Sequence, residues 1–286
     1  METIAAYFST IPSSHRALIL AGGIAFFWMV ESAKPLFSFE YRKWHHAGIN
    51  IFFTVTTIVV NFAMAFMLLM AAQFTQDHHF GILQWLGPVN DWIAAIAGLL
   101  LLDFLAAYLP HWVQHKTKWL WRFHLIHHSD TWVDTTTANR HHPGESVVRF
   151  LFTTAAVLLL GTPMWIVFLY QSLSVVFSQF NHANFSLPGR ADKWLSVFIV
   201  SPDMHKVHHH YQLPHTDSNY GNIFSIWDRI FGTFTQLPKE RIVYGIDTHM
   251  RPEHHNKIGS LLAMPFRKNP AQNQPDGDEK NFQHTE

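Results

Sequence analysis

Histidine supplies most of the chemistry available to this chain. The sequence has 22 histidines and no cysteine in 286 residues, and thirteen of the histidines fall between His111 and His215. Eight of them form three short motifs: His111-Trp-Val-Gln-His115, His124-Leu-Ile-His127-His128 and His205-Lys-Val-His208-His209. Residues three and four apart project from one face of a helix, so each motif offers two or three imidazoles to one volume. Imidazole is the commonest protein ligand for transition metals and suits iron. Motifs dispersed at repeated helical spacings are not an artificial tag, and a pH-sensing cluster would not require such spacings. Eight imidazoles exceed the needs of one mononuclear site. No motif carries the glutamate of a His-Glu-x-x-His zinc protease, and the Glu-x-x-His pairs of carboxylate-bridged di-iron bundles are missing. Without cysteine there are no disulfides, thiolate zinc sites or iron–sulfur clusters. An all-histidine site for two metals is the economical reading.

Helical geometry sets a condition on that site. At about 100° per residue, His111/His115 and His124/His127/His128 would lie on nearly opposite faces of one continuous helix. The chain must break between them, and Lys116-Thr117-Lys118 is the place, with Thr117 a candidate N-cap. The third motif has its own start signal, Ser201-Pro202-Asp203.

The elements that position these motifs are apolar and long. The chain is 48% hydrophobic with a formal charge of zero, so no basic field argues for nucleic acid. Ala17–Val30, Ile49–Ala72 and Trp92–Leu109 (interrupted only by Asp103) read as membrane spans. No secretory signal peptide is read at the N-terminus. Val147–Phe180 is a fourth apolar run, broken at Gly161-Thr162-Pro163. Histidine motifs lie on both sides of it, so a shared site requires it to enter and return on one face as a hairpin. Its arms of about 13–17 residues suggest a shallow one. Lys34, Arg42 and Lys43 lie in 32–48, and Lys116, Lys118, Arg122 and Arg140 in 110–146, whereas 73–91 has no Lys or Arg. The positive-inside rule therefore puts the histidine motifs on the cytoplasmic side. The expected fold is all-α: an integral-membrane helical bundle of three spans plus a hairpin, with a cytosolic helical cap. A single domain over 1–265, with its catalytic core at about 90–235, precedes a polar tail over 266–286.

The order HxxxH, HxxHH, HxxHH in a multi-span chain resembles the fatty acid hydroxylase/sterol desaturase superfamily. The resemblance extends to Arg140-His-His142-Pro143-Gly-Glu145, Phe180-Asn-His182-Ala-Asn184, Asn219-Tyr220-Gly221, Trp227-Asp228 and Phe231-Gly232-Thr233. It implies a helical membrane enzyme that uses O2 and two iron ions to hydroxylate or desaturate a lipid C–H bond. Zinc is able to replace iron on expression. The resemblance also implies a sterol, fatty acyl or other membrane lipid as substrate, and electrons from a separate donor protein. It makes His111, His115, His124, His127, His128, His182, His205, His208 and His209 the metal ligands, with Asn184 or water as alternatives for the remaining positions.

Around those ligands, Asp103, His142, Glu145, Asn184 and Asp203 are candidate supporting residues. Asp103 either orients a ligand ring or packs between helices. His142 is structural or adjacent to the ligands. Asp130, Asp134 and Asp217 are further candidate partners of ring N–H groups. His45, His46, His78, His79, His249, His254 and His255 read as surface or interfacial. His142-Pro143-Gly144 resembles a haem-ligand motif, but Glu145 follows where glycine is required, and haem is rejected. The rival function is a histidine-rich membrane metal transporter, which would need ionisable ligands along a path through the spans.

Overall fold

The computed structural model describes residues 1–87 and 89–267; the tail expected over 266–286 falls, from residue 268 on, outside the described residues. The described chain is helical, with two isolated β-bridges and no strand. Four helices are long and apolar enough to cross a membrane: Ser13–Ala33, Lys43–Trp85, Asp91–Lys116 and Pro143–Leu160.

After a short α1 (Glu2–Ser9), α2 (Ser13–Ala33) crosses close to the later helix α9. Gly23 permits this approach, because a Cβ there would stand 2.0 Å from Gln179 Oε1. The Gln179 amide donates to the Leu20 carbonyl at 2.9 Å, a polar tie between two apolar helices. α3 (Lys43–Asp77) has 35 residues, about 52 Å of helix, well beyond a hydrocarbon core of about 30 Å. Its buried residues His46, Asn50, Phe53, Leu68, Ala72 and Thr75 keep helical spacing along one stripe. Phe62, Phe66 and Met70 point outward and are exposed, as a lipid-facing surface requires.

The short α4 (Ile82–Trp85) leads to α5 (Asp91–Asp103), whose N-cap Asn90 accepts from the Trp92 amide at 2.9 Å. A π-helical turn over Phe104–Tyr108 joins α5 to α6 (Leu109–Lys116) and absorbs Pro110, which lacks the N–H a regular ladder needs. Thr117 is extended (φ −108, ψ 107) and separates α6 from α7 (Lys118–His128). The break stands where the histidine geometry required it, although the Thr117 side chain makes no capping hydrogen bond.

The fourth apolar run is a hairpin of α8 (Pro143–Leu160) and α9 (Met164–His182), turning at Gly161 with φ +65. Its arms are longer than the apolar run suggests. Both arms recruit polar ends, Pro143–Ser146 on one and Asn181-His182 on the other, reaching 18 and 19 residues. The tip meets the connection that follows α3, where Gln84 donates to the Gly161 carbonyl at 3.0 Å. The core between α3, α5, α8 and α9 holds Leu68, Leu102, Phe150, Val157, Leu160 and Ile166. Beyond α9 lie α10 (Gly189–Leu195) and α11 (Pro202–His208), the latter capped by Ser201 Oγ accepting from the Met204 amide at 3.2 Å. The C-terminal ends of α6 and α9 and the N-terminal end of α8 consequently meet at one end of the bundle, joined there by α7 and α11.

Candidate metal centre

Nine imidazoles converge at that end in two groups, each with its ligand atoms within 4.8 Å of one another. His111, His115, His124, His128 and His208 form the first group, and His127, His182, His205 and His209 the second. The groups adjoin: the rings of His127 and His128, which belong to different groups, are 5.5 Å apart, and those of His128 and His209 are 4.9 Å apart.

Hydrogen bonds to the outer ring nitrogens fix which inner nitrogen carries a lone pair. His111 Nδ1 donates to the Tyr220 carbonyl at 2.8 Å, and His208 Nδ1 to the Ser218 carbonyl at 2.6 Å. His182 Nδ1 donates to the Ser178 carbonyl at 2.7 Å, and His124 Nδ1 to Glu145 Oε1 at 2.8 Å. Carbonyl and carboxylate oxygens only accept, so each of these neutral rings has its proton on Nδ1 and a bare Nε2. Yet His111 Nε2 lies 3.1 Å from His124 Nε2. Two acceptors cannot hydrogen-bond each other, and in a buried site their lone pairs repel. A cation held by both removes the conflict. Two imidazoles at right angles on an ion with bonds of about 2.1 Å would be separated by about 3.0 Å, close to the observed contact. In the second group, His182 Nε2 lies 3.1 Å from both His127 Nε2 and His205 Nε2, and 3.2 Å from His209 Nε2. His115 Nε2 and His208 Nε2 are buried with no hydrogen-bond partner among the described residues.

The electrostatics favour the ligand form. Burial, reinforced by neighbouring imidazoles, pushes the rings of His127, His128, His205 and His209 well below the ordinary histidine range. Burial takes His208 down to about 3. These rings are neutral at pH 7, as metal coordination requires.

Residues 95–233 match the model of the family described as fatty acid hydroxylase. That stretch is similar to a fatty acid hydroxylase domain. Over 243 residues the chain is 27% identical to the ornithine lipid hydroxylase of Rhizobium tropici, covering 84% of this chain and 69% of that protein. It is 28% identical to the alkylglycerol monooxygenase of Danio rerio over 60% of this chain and 36% of that one. A cholesterol 25-hydroxylase-like protein of Danio rerio is 29% identical over 49% of this chain and 50% of its own length. The chain therefore spans between about a third and two thirds of these relatives. No solved structure matches it significantly.

Of the five supporting residues expected from the sequence, only Glu145 reaches the histidine groups. Its carboxylate takes His124 Nδ1 and lies 3.0 Å from His141 Nδ1. Asp103 touches no ligand ring; it accepts from the Ile223 and Phe224 amides at 3.2 and 3.1 Å, fastening the loop whose Tyr220 carbonyl holds His111. Asn184 is spent on the backbone of Phe37, accepting at 3.1 Å and donating at 2.8 Å, so it is no alternative donor. Asp203 pairs with Lys239 at 2.6 Å. His142 caps α8, accepting from the Gly144 amide at 2.9 Å, and its ring packs on Phe123.

Sequence reasoning passed over His141. Its ring stacks on His127 with centroids 4.8 Å apart, and with His124 and Glu145 it forms a third potential donor group. The His141-His142 pair, which lies between those at 127–128 and 208–209, was the available signal. His46, His249 and His255 are buried, against the expectation of a surface or interfacial position. His46 sits between Asp130 at 2.9 Å and Asp134 at 3.2 Å, and Arg140 reaches the Ile126 carbonyl at 3.0 Å. Burial raises the Asp130 carboxyl, but His46 and Arg140 more than offset this and hold it well below the usual carboxylate range. Asp130 and Asp134 thus fasten α3 to the segment after α7 and orient no ligand ring. Asp217 lies 3.6 Å from His115 Nδ1.

Glu145→Gln keeps the shape but removes the charge shared by His124 and His141. A loss of about 10–100-fold in metal affinity or turnover is expected. Metal titration and product formation measure it, and wild-type values for both would remove Glu145 from this role.

Proposed function

We propose that this chain is an O2-dependent oxidoreductase that hydroxylates a C–H bond of a membrane lipid at two iron ions. The facing Nε2 atoms of the two adjoining histidine groups carry the reading. The first group would hold one ion and the second group the other, with His141, in place of Asn184, as the nearest further donor. Bound iron would supply activation of O2 and oxidation of the C–H bond. The protein's own part is positional. Glu145 and the carbonyls of Tyr220, Ser218 and Ser178 hold four rings in the tautomer that turns Nε2 inward. A cavity of about 30 Å3 touches His111 and His124 of one group and His127, His182 and His205 of the other. The reacting carbon would enter there, where buried rings exclude bulk water.

The relatives' names point to ornithine lipid, alkylglycerols and cholesterol as their own substrates, and a membrane lipid is the class proposed here. Electrons would come from a separate donor protein. The functional unit is the single domain over 1–265, since α2 and α3 supply Glu31 and His46 to the packing behind the motifs. Lipid profiling of cells with and without the protein, under oxygen, tests the reaction. One lipid class should gain an oxygen atom, and an unchanged profile in cells that contain the metal-loaded protein would refute it.

The histidine end of the bundle is proposed to face the cytoplasm. A chain without cysteine allows single-cysteine labelling. Thr117 and Gln76 are exposed and lie at opposite ends of the bundle, whereas Ser129 is buried and unsuited. Thr117→Cys should react only from the cytoplasmic side and Gln76→Cys only from the other, and labelling of both from one side would contradict this topology.

A further inference from the structure

The cavity shared by the two histidine groups has a charged side chain in its wall that none of the steps above uses. Arg149, on α8, lines it together with Ser178 and Asn222, and the wall contains no carboxylate. The Arg149 side chain is about one third exposed, and its charged partner among the described residues is Glu145, at 3.8 Å. That contact is beyond hydrogen-bond length, and it falls on the same Oε1 that His124 and His141 engage. A guanidinium carries five N–H donors, and a cation on an apolar membrane helix is costly unless it meets a partner or a polar cavity. Two acids in the other spans have hydrogen-bond partners. Glu31 accepts from the Thr135 and Asn184 amides, and Asp103 from those of Ile223 and Phe224. Arg149 has donors left over, and they border the place where the reacting carbon would enter.

We propose that Arg149 binds an anionic oxygen group of the lipid substrate, a carboxylate or a phosphate, close to the carbon that is oxidised. The inference rests on the hydroxylase reading above. A planar guanidinium pairs with either group through two parallel hydrogen bonds. Ser178 and Asn222 line the same wall, with the Ser178 hydroxyl donating to the Ala138 carbonyl and the Asn222 amide to Ser174. Because Arg149 and five of the imidazoles line one small cavity, the anion and the oxidised carbon are a few bonds apart. The substrate therefore reacts near its polar end and not far along its chain.

Binding tests this without requiring turnover. The metal-loaded full chain in nanodiscs is equilibrated with dodecanoate, dodecyl phosphate or 1-dodecanol, three probes of one chain length. The wild type should prefer one of the two anions over the alcohol by about tenfold or more, and the preferred anion identifies carboxylate or phosphate. Arg149→Met should erase the preference while dodecanol affinity and metal content stay unchanged, and Arg149→Lys should restore part of it. A residue that merely supported Glu145 would change metal content and leave the preference intact. Should Arg149→Met lose metal, Arg149→Gln replaces it in the same comparison. Equal binding of all three probes by the wild type, or a preference that survives loss of the guanidinium, overturns the proposal. An anion preference in a protein that oxidises no lipid would defeat the hydroxylase reading and leave this site standing. Oxidation far from any anionic group would do the reverse.

Discussion

Alanine in place of His128 or His208 should reduce lipid oxidation to background, and the double variant should be no slower than either single one. Both rings belong to the five-imidazole group, with centroids 4.5 Å apart. Ligands of one ion act as a unit, so the first loss removes what the second would have removed. Each single variant is expected to lose roughly a thousandfold or more. O2 consumption and product must be scored together, because an uncoupled site would still consume O2. His142→Ala is the internal control: it removes an N-cap, costs about 1 kcal/mol of stability, and should leave turnover near the wild-type rate. Independent, additive losses at His128 and His208 would show that these rings do not share a metal.

Removing metal should destabilise the fold itself. Metal-free, the nine rings are neutral, and lone pairs face each other at 3.1 Å inside a buried site. An ion that binds only the folded chain stabilises it by about 4 kcal/mol at a thousandfold excess over its Kd, and each kcal/mol moves the midpoint of a chain this size by about 2–4 °C. The thermal midpoint should therefore fall by roughly 10 °C or more on chelation and recover with Fe(II). Metal analysis of protein never exposed to chelator should give close to two ions per chain, with zinc replacing iron in some preparations. One ion per chain, or a midpoint indifferent to chelator, would contradict the two-metal site.

Much of this was legible in residue types and spacing. Ile49–Ala72 is long and apolar enough to span, and the structure places a 35-residue helix through it. The 111/115 and 124/127/128 motifs could share a site only across a break, and the chain is extended at Thr117. Gly161-Thr162-Pro163 marked a turn in an apolar run, and α8 and α9 reverse there. In each case the signal is local: helical period, a glycine's tolerance of positive φ, a proline's missing donor.

What remained hidden depends on partners far away in the chain. Nothing in Asp103 itself says whether it holds an imidazole or the amides of Ile223 and Phe224, 120 residues on. Asn184 read as a possible ligand until Phe37 claimed both ends of its amide. His46 looked like an interfacial residue because its acids, Asp130 and Asp134, lie more than eighty residues away. The length of the hairpin arms depended on polar end residues that no hydropathy run includes. The sequence by itself determined that imidazoles would be grouped at helical spacing beside apolar spans, because period and composition act over a few residues. Only the tertiary structure decided which nitrogen of each ring faces inward, that His141 and Glu145 stand beside the ligands, and that Arg149 shares their cavity. Those outcomes depend on which oxygens are packed against which rings, and long-range packing sets that.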